Sequence, residues 1–308
     1  LQKSNRHAVP LQPLRGEGAS PTNEFALSLL KQICNLQSDM RIGFIGAGKM
    51  AAALARGAVN AGLCAAEEIR ASARSAPSRE AFARKAGIAL HQVSADNCEI
   101  TAGSDAVFLC VKPAAAKTVL GEIAPHLRGQ PVISIVAGVR LAELEAAAGS
   151  GVPIIRTMPN TPVLVGRGAT AFACGAAATD AHVALVEKLF GALGDVYRVD
   201  EKLIDAVNGL SGSGPAYVYL VIEALADGGV LMGLPRPLAA ALAAQTVLGA
   251  AEMVRQTGEP PADLREAVTS PGGTTIAALA VLEQAGVRAA MIGAVRAATE
   301  RAREMGGR

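Results

Sequence analysis

The sequence predicts a doubly wound α/β domain over residues 40–200, followed by an all-α domain over residues 201–308. Three observations carry this. Between Arg41 and about Asp200, short and continuously apolar runs alternate with helical stretches. A glycine-rich turn joins the first of those runs to the first helix. After Asp200 the strand-like runs stop, and long apolar-periodic segments take over. At 308 residues and 51% hydrophobic content, the chain can bury two modest cores.

Residues 1–39 stand apart from the rest. LQKSNRHAVPLQPLRGEGASPTNE mixes Pro, Gly, Ser and charge without periodicity, and FALSLLKQICNL has the pattern of one short amphipathic helix. Glu17 and Glu24, with no apolar targeting core, point to a disordered extension or an over-extended gene start rather than a targeting peptide. The body begins at Met40. RIGFIG, IRASA, AVFLCV, VISIVA, PIIRTM and TAFAC read as strands, and AALARGAVNAG, APSREAFARKAG and AAAKTVLGEIAPHL read as helices between them. Strands that are apolar throughout, without alternation, predict a parallel sheet covered on both faces. Beyond Asp200 the helical segments run roughly 215–232, 237–256, 274–284 and 287–304, punctuated by Gly233, Pro235, Gly258, Pro260 and Pro261.

Composition excludes several classes of function. The 29 basic residues nearly cancel the 27 acidic ones, and no block of like charge suggests nucleic acid or an anionic membrane. Five scattered cysteines without CxxC spacing argue against a disulfide framework or a metal site and fit a reducing, cytoplasmic compartment. Leu238–Val254 is apolar enough to suggest a membrane span, but it contains Gln245, Thr246 and Glu252 and is mostly alanine, so a buried helix is expected. Tryptophan is absent, and the many alanines favour close helix packing and an intertwined helical oligomer.

The first strand runs into Gly46-Ala47-Gly48-Lys49-Met50-Ala51, a GxGxxA fingerprint. Gly46 permits the tight turn, Gly48 lets the backbone approach a pyrophosphate, and small Ala51 brings helix and strand together. The helix N-terminus then faces the anion. This makes the α/β domain Rossmann-type. At the end of the second strand, where NAD-specific enzymes usually carry an acidic residue, the chain offers Ser72, Arg74, Ser75 and Arg79. Hydroxyls and cations suit a 2′-phosphate, so NADPH is favoured over NADH. Val111, Lys112 and Pro113, and likewise Ala137 and Gly138, follow two further strands at the ends where this fold meets its cofactor.

Three loop-like motifs remain: RTMPNTPVLVGRGAT (156–170), GLSGSGPAY (209–217) and AVTSPGGTTIAALAVLE (267–283). In the third, two glycines, a proline and several hydroxyls precede a helix. Free amides at a helix start beside Ser and Thr hydroxyls make a carboxylate receptor, with an ordinary capped start through Ser270 or Thr274 as the alternative. VTSPGGTTIAALAVLE resembles the signature of pyrroline-5-carboxylate reductases. The resemblance continues through IGFIGAGKMAAALARG, FLCVKP, MPNTPVLVGRGAT, NGLSGSGPAYVYLVIEALADGGVLMGLPR and AAQTVLGAAEMV, from Met40 to the C-terminus.

The resemblance implies a helical dimerisation domain behind the Rossmann-type one, homodimers assembling further into a pentamer of dimers, and a small cyclic imino acid bound at the dimer interface. It implies that Ser270 and the amides of Gly272, Gly273 and Thr274 hold the substrate carboxylate, with the Thr275 hydroxyl near the ring nitrogen. It places Asn97 at the adenosine ribose and Pro159, Asn160 and Thr161 near the nicotinamide. The chain departs from the family at Pro260, where a histidine is common.

The chemistry expected is hydride transfer to a cyclic imine. Alcohol or ketone chemistry would call for a general base, yet His7, His91, His126 and His182 all lie outside the candidate substrate loops. A protonated imine is already activated, so the protein's work is positioning, with Thr275 as the candidate proton-assisting hydroxyl. A six-membered imine acid is an open alternative, as are a hydroxyacid or 6-phosphogluconate-like dehydrogenase and a non-catalytic dinucleotide-binding protein. A missing loop lysine counts against the dehydrogenase, and the intact SPGGTT loop counts against loss of catalysis.

Overall fold

The computed structural model describes residues 40–306, so the expectations for residues 1–39 lie outside the described residues. These residues form two compact units, one running to Ile204 and taking in the chain end from Glu304, the other Asp205–Arg303.

The first unit is built on one eight-stranded sheet in the order β3-β2-β1-β4-β5-β6-β7-β8. Its strands are β1 (Ile42–Ile45), β2 (Ile69–Ser72), β3 (Val93–Ser94), β4 (Ala106–Leu109), β5 (Val132–Ser134), β6 (Ile154–Met158), β7 (Gly168–Cys174) and β8 (Gly194–Arg198). The first six are all parallel, in the order of a dinucleotide-binding domain. Every residue of β1, β4, β5 and β6 is buried, because helices cover both faces. Those helices are α1 (Lys49–Asn60), α2 (Ala76–Ala86), α3 (Asn97–Ala102), α4 (Pro113–Ile123), α5 (Leu141–Ala148) and α6 (Asp180–Gly191).

With no tryptophan available, phenylalanines knit the centre. Phe44 of β1 stacks on Phe108 of β4 with ring centroids 4.9 Å apart, and Phe108 meets Phe190 of α6 edge-on at 6.0 Å. Small residues set the spacing of α1: a Cβ on Gly57 would stand 2.7 Å from Leu193 Cδ2. Arg156 of β6 is fully buried, and its Nη1 donates to Glu201 Oε1 at 3.0 Å. The same Glu201 oxygen accepts the backbone N–H of Leu141 at 2.6 Å, so one carboxylate fastens β6 and the start of α5.

One strand corrects the parallel-sheet expectation: β7, the TAFAC run, lies antiparallel to β6. Only residues 159–167 separate the two strands, fewer than a parallel crossover requires. A 3-10 turn, Thr161–Val165, fills that connection. β8 then pairs parallel to β7 after α6.

From the end of the first unit onward come α7 (Ile204–Val207), a π-helical stretch Asn208–Gly212, α8 (Gly214–Leu231), α9 (Arg236–Thr257), α10 (Pro261–Ala267), α11 (Thr274–Gln284) and α12 (Val287–Met305). The GLSGSGPAY motif proves to be a packing device in part. A Cβ on Gly209 would strike Thr299 Oγ1 of α12 at 2.1 Å, and Tyr217 donates its hydroxyl hydrogen to the Gly209 carbonyl at 3.1 Å. Among the described residues, the fully packed hydrophobics of this unit are alanines: Ala226, Ala239, Ala243 and Ala302. Leu238, Leu242, Leu248 and Met253 of α9 are about half exposed or more (47–58%), which corrects the expectation of a buried helix. By length and composition alone, α9 is the one helix among the described residues that meets the requirement for crossing a membrane.

Candidate active site

The glycine fingerprint forms the first part of the site. β1 ends at Ile45, Gly46 turns the chain at φ +102°, and Gly48 caps the N-terminus of α1. Gly46 is locked from two sides. Its N–H donates to the Ser72 carbonyl at 3.1 Å, and a Cβ there would stand 2.7 Å from the Cys110 carbonyl oxygen and 3.1 Å from Val111 Cγ1. Gly48 is the opposite case, since a Cβ there would meet nothing within 4 Å. Packing does not require glycine at 48, and the missing side chain leaves the backbone there open to approach. No side chain caps α1, so its first amides stay open, and Ala51 is buried behind them. Lys49 and Met50 begin the helix, exposed and half-buried respectively.

A second group of the predicted residues lies where β2 stops. Ser72 is fully buried, and its hydroxyl donates to Asn97 Oδ1 at 2.7 Å. Asn97, half-buried at the first residue of α3, donates through Nδ2 to Glu122 Oε1 at 3.2 Å and Oε2 at 3.3 Å. Glu122 belongs to α4 and carries no sequence signal; only the fold brings it to Asn97. Ser75 is the N-cap of α2, accepting from the Ser78 N–H at 3.3 Å. Arg79 Nη1 donates to the carbonyls of Ala73 and Arg74, both at 3.1 Å, and so buttresses the loop. Arg74 is exposed, and no partner holds its guanidinium among the described residues.

Further predicted residues follow three strands, β4, β5 and β6. Lys112 is an exposed N-cap of α4 with Pro113 at the first helical position, the place where proline's missing N–H costs nothing. Gly138 takes φ +78°, but a Cβ there would meet Gly306 N at 3.1 Å and Met305 Cβ at 3.2 Å. Its glycine is thus explained by the last turn of α12, with Ala137 beside it half-buried. Pro159 and Asn160 are buried, and Asn160 Oδ1 accepts the Ala169 N–H at 2.9 Å to close the β6–β7 connection, leaving Thr161 exposed. Cys110 brings no nucleophile to the cradle, because burial pushes its thiol pKa up.

The SPGGTT loop belongs to the helical unit. Gly273 N–H donates to the Ser270 carbonyl at 3.0 Å, with Pro271 and Gly272 (φ +69°) as the central residues of a tight turn. A Cβ on Gly273 would collide with Ser270 Oγ at 2.3 Å, so this glycine lets the Ser270 hydroxyl fold over the turn. Gly273 is itself the N-cap of α11, and no side chain caps the helix. The alternative of a start capped by Ser270 or Thr274 is thereby excluded. Among the described residues, no hydrogen bond engages the hydroxyls of Ser270, Thr274 and Thr275, which stand beside the open amides of the first turn.

Comparison with known proteins matches two parts of the chain. Residues 201–305 match the family model described as pyrroline-5-carboxylate reductase dimerisation, and residues 41–138 match the model described as NADP oxidoreductase coenzyme F420-dependent. The chain is 46% identical to a pyrroline-5-carboxylate reductase of Pisum sativum over 271 residues, covering 88% of this chain and 97% of that one. It is 45% identical to the enzyme of that name from Methanosarcina acetivorans, covering 87% and 98%. A solved Plasmodium falciparum pyrroline carboxylate reductase with NADP bound superposes with a TM-score of 0.80 at 34% identity, covering 88% of this chain and 99% of that one. At this identity over nearly the whole length of these relatives, the chain belongs to the pyrroline-5-carboxylate reductase family.

Proposed function

We propose that this chain catalyses the NADPH-dependent reduction of 1-pyrroline-5-carboxylate to L-proline, the last step of proline synthesis. The observation that carries the reading is the bare N-terminus of α11, where a glycine turn, open amides and free hydroxyls converge on a site suited to one carboxylate. Family membership supports it.

NADPH, when bound, supplies a hydride to the imine carbon. The residues suited to hold its pyrophosphate are Gly46, Ala47, Gly48 and the first turn of α1, where the missing Cβ of Gly48 leaves room for it. Arg74 and Ser75 are the groups for the 2′-phosphate and Asn97 is the group for the ribose. Lys112, Ala137, Gly138, Pro159, Asn160 and Thr161 line the remaining cofactor path. Ser270, Gly272, Gly273 and Thr274 fix the substrate carboxylate and so orient the ring. Thr275, on the second helical residue of α11, assists protonation at the ring nitrogen. The reaction consumes one hydride and one proton at the C=N bond, so no nucleophile is needed and positioning supplies most of the rate.

The exposed leucines of the helical unit support a homodimer closed through residues 201–305. A pentamer of dimers and a cytoplasmic location complete the reading. The test is NADPH oxidation, followed by the loss of the reduced nicotinamide's absorbance, on adding pyrroline-5-carboxylate to the purified protein. Turnover supports the assignment, and turnover of 3-hydroxyisobutyrate with NADP instead would replace it with the dehydrogenase reading.

A further inference from the structure

The hydrogen bonds around Asn97 fix more than its position. A carboxylate only accepts, so the Glu122 oxygens at 3.2 and 3.3 Å can face nothing but the amide nitrogen Nδ2. That settles the amide's orientation and turns Oδ1 toward the Ser72 hydroxyl, 2.7 Å away. The Ser72 side chain is fully buried and its carbonyl accepts the Gly46 N–H, so it is itself anchored to the dinucleotide turn. With Nδ2 turned to both Glu122 oxygens, Asn97 retains a lone pair on Oδ1 for a ligand. It stands beside the carboxyl end of β2, where this fold meets the adenosine ribose. Ser72, being buried, does not reach that ligand directly. The polar group presented there is the amide of Asn97.

We infer that Glu122, on α4 and outside the glycine fingerprint, is a positioning residue for dinucleotide recognition: it locks the Asn97 amide in the orientation that reads the adenosine ribose. The inference rests on the proposed NADPH dependence but not on the identity of the imine. Without Glu122 the amide flips freely and spends part of its time with donor and acceptor exchanged, so affinity falls while the chemistry at the far end of the cofactor is untouched.

The test measures NADPH binding directly. The chain has no tryptophan, so the fluorescence of the bound nicotinamide can be followed without interference from one. In the full-length protein, Glu122→Ala is expected to weaken NADPH binding by about three- to tenfold, the usual range for one lost orienting hydrogen bond. kcat and the KM for the imine stay at wild-type values. Glu122→Gln, which can accept or donate, falls between. Asn97→Ala weakens binding as well, and adding Glu122→Ala to it produces no further loss, because Glu122 acts only through Asn97. NADPH affinity within twofold of wild type in Glu122→Ala, or losses that multiply in the double variant, would overturn the inference. So would a parallel fall in Tm and kcat in both Glu122 variants, which would mark a purely structural role. A wild-type protein that binds NADPH but leaves the imine unreduced would overturn the proposed reaction while leaving the Glu122 comparison intact.

Discussion

Gly46 and Cys110 meet across the ends of β1 and β4 with no room for a side chain between them: a Cβ on Gly46 would lie 2.7 Å from the Cys110 carbonyl oxygen. Two residues later, Gly48 faces open space. One fingerprint therefore contains two glycines of different kinds. Gly46→Ala combines a backbone collision with a φ of +102° that L-residues rarely adopt, and is expected to cost about 2 kcal/mol or more of stability. Gly48→Ala is expected to hold Tm close to wild type and to lose NADPH affinity at least as severely. Thermal melts beside NADPH titrations check both, and equal Tm losses in the two variants would contradict the distinction.

Arg74 is exposed and unengaged at the end of β2, whereas neighbouring Arg79 is occupied with backbone carbonyls. On the proposed reading, Arg74 is the cation for the 2′-phosphate. Arg74→Asp is expected to raise the KM for NADPH about tenfold, the equivalent of one charge-assisted hydrogen bond, and to leave NADH unchanged or improved. Paired kinetics with the two cofactors decide it, and an unaltered NADPH preference would remove Arg74 from the site.

How much of this was legible in the sequence depended on the physical source of each signal. Strands buried on both faces carry apolar runs, so β1 and β4 stand out, while β2, β5 and β6 remain legible although each contains buried polar residues, Arg156 and Thr157 among them. β3 is two residues long, and β8, GDVYR, is half-exposed and mixes charges, so neither produced an apolar run. The direction of β7 could have been read from the short connection before it. The SPGGTT turn was legible because its glycines and proline encode backbone geometry locally. Glu122 was not, because its meaning lies in a contact 25 residues away with Asn97. Ser72 was read as a phosphate ligand from its place at the end of β2, while its complete burial depends on tertiary packing. The apolar α9 was expected to be buried, yet its leucines stand exposed in the single chain; periodicity identifies an apolar face without saying whether the same chain covers it.

The edge of the first unit offers a pH prediction. Arg41 Nη2 donates to Asp105 Oδ1 at 2.9 Å, and the Arg41 backbone N–H donates to Oδ2 at 2.9 Å. The side-chain bond from Arg41 is the main cause holding the Asp105 carboxyl below its ordinary range. A depressed folded-state pKa stabilises the fold above the unfolded value of about 3.9 and loses that contribution as pH falls through the folded one. Both side chains are exposed, so the effect is small and screened by salt. Asp105→Asn should melt slightly below wild type at neutral pH, with the gap closing in acid as pH falls below the ordinary carboxylate range and the wild-type carboxyl protonates. A gap that persists in acid would mean the substitution acts through packing instead.

Thr275 is the residue on which the proposed chemistry turns. It follows Gly273 and Thr274 at the start of α11, half-buried, and among the described residues its hydroxyl has no hydrogen-bond partner. Thr275→Ala should therefore change stability by no more than about 0.5 kcal/mol, as for substitutions that break no named interaction. Turnover should nevertheless fall, by about a hundredfold if the hydroxyl assists proton transfer to the ring nitrogen. Thr275→Ser keeps the hydroxyl and should restore most of the rate. Steady-state kinetics separate this from carboxylate binding, since loss of a substrate anchor raises the KM for the imine, whereas loss of proton assistance lowers kcat at unchanged KM. Wild-type turnover in Thr275→Ala would leave the helix-start amides and Ser270 as the working parts of the loop, and the imine would then take its proton from solvent.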